Sequence, residues 1–142
     1  MTYTNTILLA FAIATGIFTQ QGKEATGAAA LQGTWTIESI NGQSAQEGTP
    51  PLTLSFDGDK YSQAVGTDVN ERGAFKLDAS KKPMPIDLTI MEGDDAGKTQ
   101  LGIVEVEGDK LRICFAIPGA TERPADFIVK DGFLMVLGTR KK

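Results

Sequence analysis

The sequence has no histidine and only one cysteine, Cys114. Without histidine the chain lacks the most common general base, the usual catalytic triads and the most common metal ligand. A single cysteine forms no intrachain disulfide and, without histidine, leaves no basis for a zinc site. A catalytic thiol needs an activating base nearby, so we interpret Cys114 as a small hydrophobic residue of a strand. We expect neither a metal nor a cofactor.

Catalysis by carboxylates is the enzyme class that this composition leaves open. Glycoside hydrolysis, for example, needs two carboxyl groups that converge on one bond. The chain has 18 aspartates and glutamates, but most of those after residue 30 lie at turns or at outward positions of strands. The acidic turns at 57–59 and 94–95 are also too tight for a calcium loop, which needs spaced oxygen ligands. We therefore predict that the protein is not an enzyme.

An excess of positive charge is missing as well. The formal net charge is −4 and the sequence pI is about 4.8. Phosphate backbones are bound by basic surfaces, so this balance excludes a nucleic-acid partner. It gives no reason to expect attraction to an anionic membrane either.

The chain also lacks an apolar run long enough for a stable membrane span. The longest uncharged apolar stretch is "ILLAFAIATGIF" at 7–18, whereas a span needs about 20 residues. This length suits the core of a signal peptide, and Ala28-Ala29-Ala30 offers a small-residue cleavage site. No lysine or arginine precedes the run, so an uncleaved anchor and a cytosolic protein with an apolar tail remain alternatives. We predict a leader over residues 1–30 and export to the periplasm or the medium.

From Leu31 onward, a helical pattern of apolar residues is absent and an alternation of period two dominates. "TLSF" at 53–56, "PIDLTI" at 85–90 and "LRICF" at 111–115 each place apolar residues on one face and polar residues on the other. At most one helical turn fits, near 43–47. Residues 101–106 are apolar on both faces, which predicts either a β-bulge or a strand buried on both sides. Strands are predicted near 33–40, 52–57, 60–65, 71–77, 85–91, 99–106, 110–116, 124–130 and 133–140.

Tight turns separate these runs. Glycine flanked by acidic residues at 57–59, 107–109 and 131–132 is typical of hairpins, and crossover helices are not predicted. The fold class expected for residues 31–142 is therefore all-β, an antiparallel meander closed into a barrel of about eight strands. The predicted inward residues are Trp35, Ile37, Leu52, Leu54, Phe56, Tyr61, Phe75, Leu77, Ile86, Leu88, Ile90, Ile113, Phe115 and Val136.

A family resemblance rests on specific segments. Gly33-Thr34-Trp35 resembles the G-x-W signature of lipocalins and other calycin barrels. Together with "FDGDKY", "FKLDASKKPMPIDLTIMEG", "GKTQLGIVEVEGDKLRICFAIPG" and "ERP", it is similar to an uncharacterised lipocalin-like domain family of planctomycetes, over roughly residues 31–140. The resemblance implies a lipocalin-like barrel, usually behind a signal peptide, with no assigned activity or ligand. The similarity to the wider calycin barrels also implies that Arg140 covers Trp35. The alternative is that Arg140 is a terminal arginine exposed to solvent.

Two functions remain open at this stage, because an eight-stranded barrel is either filled by side chains or holds one small ligand. In the first, a small hydrophobic molecule binds inside the barrel without chemical conversion, with Tyr61 and Gln63 as polar groups near a rim. In the second, the barrel is filled and the protein is a structural or interaction module that uses the loops 41–51, 78–85 and 117–126. The predicted ligand-binding residues are Trp35, Phe56, Tyr61, Gln63, Phe75 and Phe115.

Overall fold

A computed structural model describes residues 27–142 of the chain. The predicted leader therefore lies outside the described residues as far as residue 26. Among the described residues, no helix is long and apolar enough to cross a membrane. Within residues 27–142 the elements are one short helix, α1 (Ala28–Leu31), and nine strands: β1 (Gly33–Ile40), β2 (Gln43–Ser44), β3 (Leu52–Asp57), β4 (Lys60–Val65), β5 (Asp68–Leu77), β6 (Met84–Glu92), β7 (Thr99–Glu107), β8 (Lys110–Ala116) and β9 (Phe133–Arg140).

The strands form a closed antiparallel barrel. From β3 to β9 each strand pairs with the next one in the chain, β1 pairs with β3, and β9 returns to pair with β1. The closing register joins Trp35 to Arg140 and Ile40 to Val136. The two-residue strand β2 is an addition at the end of β1. The predicted all-β barrel of about eight strands is confirmed, and closure leaves none of its eight strands with a free edge.

The core occupies the inside of this barrel. The alternation of each strand buries one face, and all predicted inward residues either belong to the core cluster or, as Leu52 and Leu77 do, pack against it. The Phe56 and Phe75 rings meet edge to face at 5.1 Å between centroids. Three residues outside the predicted inward set, Leu31, Val104 and Leu111, complete the cluster and are buried.

The prediction of a strand at 124–130 is wrong. These residues belong to the irregular connection between β8 and β9, residues 117–132. Every residue of β8 pairs with β9, from Lys110–Thr139 to Ala116–Phe133, and its other edge pairs with β7. The connection therefore has no strand edge to join.

The connection lies instead on the outside of the barrel. The Arg123 guanidinium donates hydrogen bonds to the carbonyls of Ile86 (3.0 Å) and Gly102 (2.9 Å) and to Asp87 Oδ1 (2.6 Å). Beneath it, Ile103 pairs with Cys114, and both are buried. Since neighbouring Val104 is buried in the core, β7 is covered on both faces. The pairings of β7 with β6 and with β8 show no register shift. Of the two alternatives predicted for residues 101–106, the strand buried on both sides is therefore correct, and the β-bulge is wrong.

Near 43–47, where at most one helical turn was predicted, residues 43–44 form the short strand β2 and no helix is present among residues 43–47. Asn41 and Gly42 both have positive φ, 52° and 82°. Two such residues in succession suit the tight hairpin turn whose twist matches that of the flanking strands. The turn returns the chain against β1, where Gln43 pairs with Ile40.

Candidate functional site

The two ends of the barrel differ in construction. The closed end is where β1 begins and β9 finishes, and residues 27–32 cross it. Leu31 is fully buried there, and its carbonyl accepts a hydrogen bond from the Trp35 indole Nε1 at 2.9 Å. Gln32 fixes the segment to the turn between β3 and β4, because its side-chain amide exchanges two hydrogen bonds with the backbone of Gly58.

Arg140 joins the closed end to the last strand. Its guanidinium lies over the Trp35 ring, 4.2 Å from the centroid, so the predicted contact is confirmed. The same group donates to the carbonyls of Gln32 (2.7 Å) and Ala30 (3.0 Å) and to Asp109 Oδ1 (3.1 Å). The hydrogen bond and charge of Lys142, with a smaller contribution from Arg140, lower the pKa of Asp109. This end is a structural closure, with its polar groups paired.

A cavity of about 80 Å³ lies inside the barrel towards the other end. Its lining is mostly apolar, with four longer polar side chains that face inward from β4, β5 and β7. The lining residues are Ile37, Ile40, Leu52, Thr53, Leu54, Tyr61, Gln63, Glu71, Leu88, Gln100, Phe115, Leu134 and Val136.

Tyr61 and Glu71 form the polar pair of this cavity. Between β4 and β5, Tyr61 pairs with Gly73 and Gln63 pairs with Glu71. Tyr61 and Glu71 therefore lie on the same face of the sheet, and their side chains point inward. The Tyr61 hydroxyl donates to Glu71 Oε2 at 2.9 Å. Burial, and then the nearby carboxylate, raise the pKa of Tyr61 well above its ordinary value. Burial also raises the pKa of Glu71, although the hydrogen bond from Tyr61 opposes this.

Gln100 is the buried polar residue of the interior, at 7% exposure. Its Nε2 donates to the carbonyl of Ala116 at 3.0 Å, and no hydrogen bond to its Oε1 is found among residues 27–142. In that part of the chain no fully buried side-chain polar atom lacks a partner. Gln100 borders the cavity, and an amide oxygen accepts hydrogen bonds, so this oxygen is a candidate acceptor for a molecule bound there.

Two glycines make room for the aromatic rings of the lining. A Cβ atom on Gly73 would lie 2.7 Å from the Tyr61 ring, and one on Gly102 would lie 2.6 Å from the Phe115 ring. Each glycine also faces a backbone carbonyl at close range, that of Thr89 or of Cys114. Both rings therefore pack closely against the barrel wall at positions where any larger residue would collide with them.

The structure separates the predicted ligand-binding residues into two groups. Tyr61, Gln63 and Phe115 line the cavity. The other three, Trp35, Phe56 and Phe75, are buried in the core and do not line it.

Two cavity residues, Glu71 and Gln100, were not among the predicted ones. Their signal was present in the alternation. Glu71 lies two residues before Gly73 and four before inward Phe75, and Gln100 lies four residues before inward Val104. The polar character of both side chains concealed them, because inward positions were sought among apolar residues.

The chemistry of the cavity is limited by its single carboxyl group. Glycoside hydrolysis uses two, and Glu71 is the one carboxylate of the lining. Among the described residues, no group of three histidine, cysteine, aspartate or glutamate side chains is placed to hold a metal ion. Cys114 lies outside the barrel wall beneath residues 117–132, with Sγ 3.7 Å from the carbonyl of Ile128, and burial raises the pKa of its thiol.

A larger cavity, of about 640 Å³, lies near the closed end, where Ala30 and Arg140 are among its lining residues. It is bordered by residues 79–84, by residues 104–108 and by Gly27, where the described chain begins. Within the described chain no fully buried side-chain polar atom lacks a partner, so this cavity offers no unpaired buried polar group to a ligand.

Comparison with known protein families, curated proteins and solved structures finds no match to this chain.

Proposed function

We propose that the protein is an exported lipocalin-like barrel that binds a small, largely apolar molecule in the cavity near Tyr61 and Glu71, without converting it. The observation that supports this is the combination inside one barrel of empty space, an apolar wall and a few convergent polar groups. Ligand sites have this composition, with polar groups that fix orientation and apolar groups that supply most of the contact.

The size of the cavity restricts the ligand. Pockets for drug-sized molecules usually measure about 300–1,000 Å³, whereas this cavity measures about 80 Å³. An engineered apolar cavity of about 150 Å³ holds one benzene molecule. The ligand therefore has only a few non-hydrogen atoms within the barrel, and its affinity is modest because few atoms contribute to binding.

Small alcohols and ketones are suitable probes, added to the isotope-labelled protein and followed by amide NMR shifts. We expect saturable shifts confined to strands that carry lining residues. The Val136→Phe variant replaces a small side chain of the lining with an aromatic ring that fills part of the cavity, so it should abolish the shifts. Its matched control is Val129→Phe, since Val129 is 61% exposed on the connection 117–132. Shifts that persist unchanged in Val136→Phe would overturn the proposal.

A second candidate is a filled barrel that acts as an interaction module. The small cavity supports it, and so do three exposed apolar residues of the connection 117–132, namely Ile117, Ile128 and Val129. Exposed apolar residues that lie together commonly mark interaction surfaces. Absence of any saturable binding to the wild-type cavity would favour this candidate over the first.

A further inference from the structure

We propose that the cavity selects a small organic cation, a protonated amine on a short apolar chain, with Glu71 as the group that receives the charge. This inference rests on the proposed function and specifies its ligand. It follows from the charge of the lining, from the hydrogen-bonding groups that the lining leaves unused, and from the size of the space.

The charge of the lining has one sign. Glu71 is its single ionisable carboxylate, and neither lysine nor arginine is among the lining residues. Asp95 adds negative potential at Glu71, and Lys98 is held by Asp95 at 3.0 Å. An anionic ligand would therefore meet repulsion without a cation to receive it, whereas a protonated amine would form an ion pair.

Two acceptors of the lining receive no hydrogen bond, or only one on their two oxygens, from the described residues. Glu71 receives the Tyr61 hydroxyl on Oε2, and among the described residues its Oε1 has no hydrogen-bond donor. Gln100, which also borders the cavity, has an amide oxygen that receives no hydrogen bond from the described residues. An ammonium group carries three donors and no acceptor, so its hydrogen-bonding character complements this set.

Burial makes the Glu71 carboxylate costly in the empty barrel, which is why its pKa is raised. An opposite charge within a few ångströms favours the ionised form. The entry of an amine therefore restores part of the stabilisation that Glu71 loses on leaving water. The apolar chain of the amine would lie against Leu88, Phe115 and Val136, which border the same space.

The test compares three ligands of equal chain length, n-butylamine, n-butanol and butyrate, at pH 7 and low salt. Binding to the full chain is measured by NMR shifts of the cavity residues. We expect butylamine to bind at least tenfold more tightly than butanol, and butyrate not to bind. The Glu71→Gln variant keeps an acceptor for Tyr61 but removes the charge, so it should bring amine and alcohol to equal affinity while butanol binding stays unchanged.

Glu105→Gln is the matched control, because Glu105 pairs with Arg112 on the outer face, and it should preserve the preference for the amine. Equal binding of amine and alcohol to the wild-type protein would overturn this inference and leave the proposed function standing. A failure of all three ligands to produce shifts would overturn both. Unchanged shifts outside the cavity in Glu71→Gln establish that the variant folds.

Discussion

Arg140 makes more contacts of different kinds than any other side chain at the closed end. It covers Trp35, donates to two backbone carbonyls of residues 30–32 and pairs with Asp109. A planar guanidinium can do this because its five N–H donors are fixed in one plane and its face can lie on a ring. The last strand and the segment before the first strand are therefore held by one residue.

We expect Arg140→Lys to lower the free energy of unfolding by about 1–3 kcal/mol, because an ammonium group cannot keep the ring contact and both carbonyl contacts. Urea unfolding followed by the fluorescence of Trp35, the single tryptophan, measures the change. Arg72→Lys is the matched control, since Arg72 is half exposed in its pair with Glu92. Its cost should be below about 0.5 kcal/mol. Equal effects of the two substitutions would contradict this role of Arg140.

The raised pKa of Tyr61 determines how the free energy of unfolding changes with pH in the alkaline range. An unfolded chain loses the tyrosine proton near pH 10, whereas the folded protein keeps it, because burial and Glu71 raise the pKa of Tyr61. Above pH 10 the folded state therefore binds more protons than the unfolded state, and stability falls as pH rises. We expect tyrosinate absorbance to appear only as the protein unfolds.

The measurement is made on the Tyr3→Phe variant, in which Tyr61 is the single tyrosine, so that all tyrosinate absorbance comes from Tyr61. In Tyr61→Phe the decline of stability above pH 10 should become shallower. Tyrosinate that forms near pH 10 while Trp35 fluorescence keeps its folded value would show that the hydroxyl is not buried as described.

At the scale of elements, the connection 117–132 is the least regular part of the structure, yet it covers a strand pair. Arg123 fixes it to carbonyls of β6 and β7 and to Asp87. Arg112, on β8, lies 4.0 Å from the centre of the Phe127 ring. The connection covers the buried thiol of Cys114, whose Sγ lies 3.7 Å from the carbonyl of Ile128. The reactivity of this thiol therefore measures how often the connection detaches from the barrel.

We expect Arg123→Ala to increase the rate at which a thiol reagent modifies Cys114 by at least tenfold, because the connection then opens more often. An opening that becomes easier by about 1.4 kcal/mol is ten times more populated. Arg72→Ala, remote from the connection, should leave the rate unchanged. If the two variants react at the same rate, Arg123 does not hold the connection.

Strand positions were predictable because their evidence is local. Alternation and glycine-acidic turns located all eight barrel strands, and Trp35, Phe56 and Phe75 were assigned inward by period alone. The connection 117–132 was predicted wrongly because its state depends on β8 and β9 pairing with each other, which the segment itself does not encode. Glu71 and Gln100 lie at positions with the inward period, but period alone does not assign a polar side chain to the interior.

For the whole molecule, the residues just before β1 are part of the fold. The carbonyl of Ala30 accepts from Arg140, and Leu31 is fully buried. A chain that begins at Leu31, at the predicted cleavage site, would lack this carbonyl and place a terminal ammonium near the guanidinium. We expect it to be less stable by about 1–3 kcal/mol than a chain that begins at Gly27.

Urea unfolding of the two chains measures the difference. Acetylation of the Leu31 amine supplies a carbonyl in the place of that of Ala30 and removes the charge, so it should restore most of the loss. Equal stability of the chains that begin at Gly27 and at Leu31 would show that residues 27–30 contribute nothing to the closed end.

The pairing of β1 with β9 has a consequence for biosynthesis. About 100 residues separate the end of β1 from the end of β9, and ribosomes add roughly 5–20 residues per second. The first strand of a nascent chain therefore waits on the order of 5–20 s for the partner that completes its hydrogen bonding. During that interval the backbone of β1 can pair wrongly with other chains.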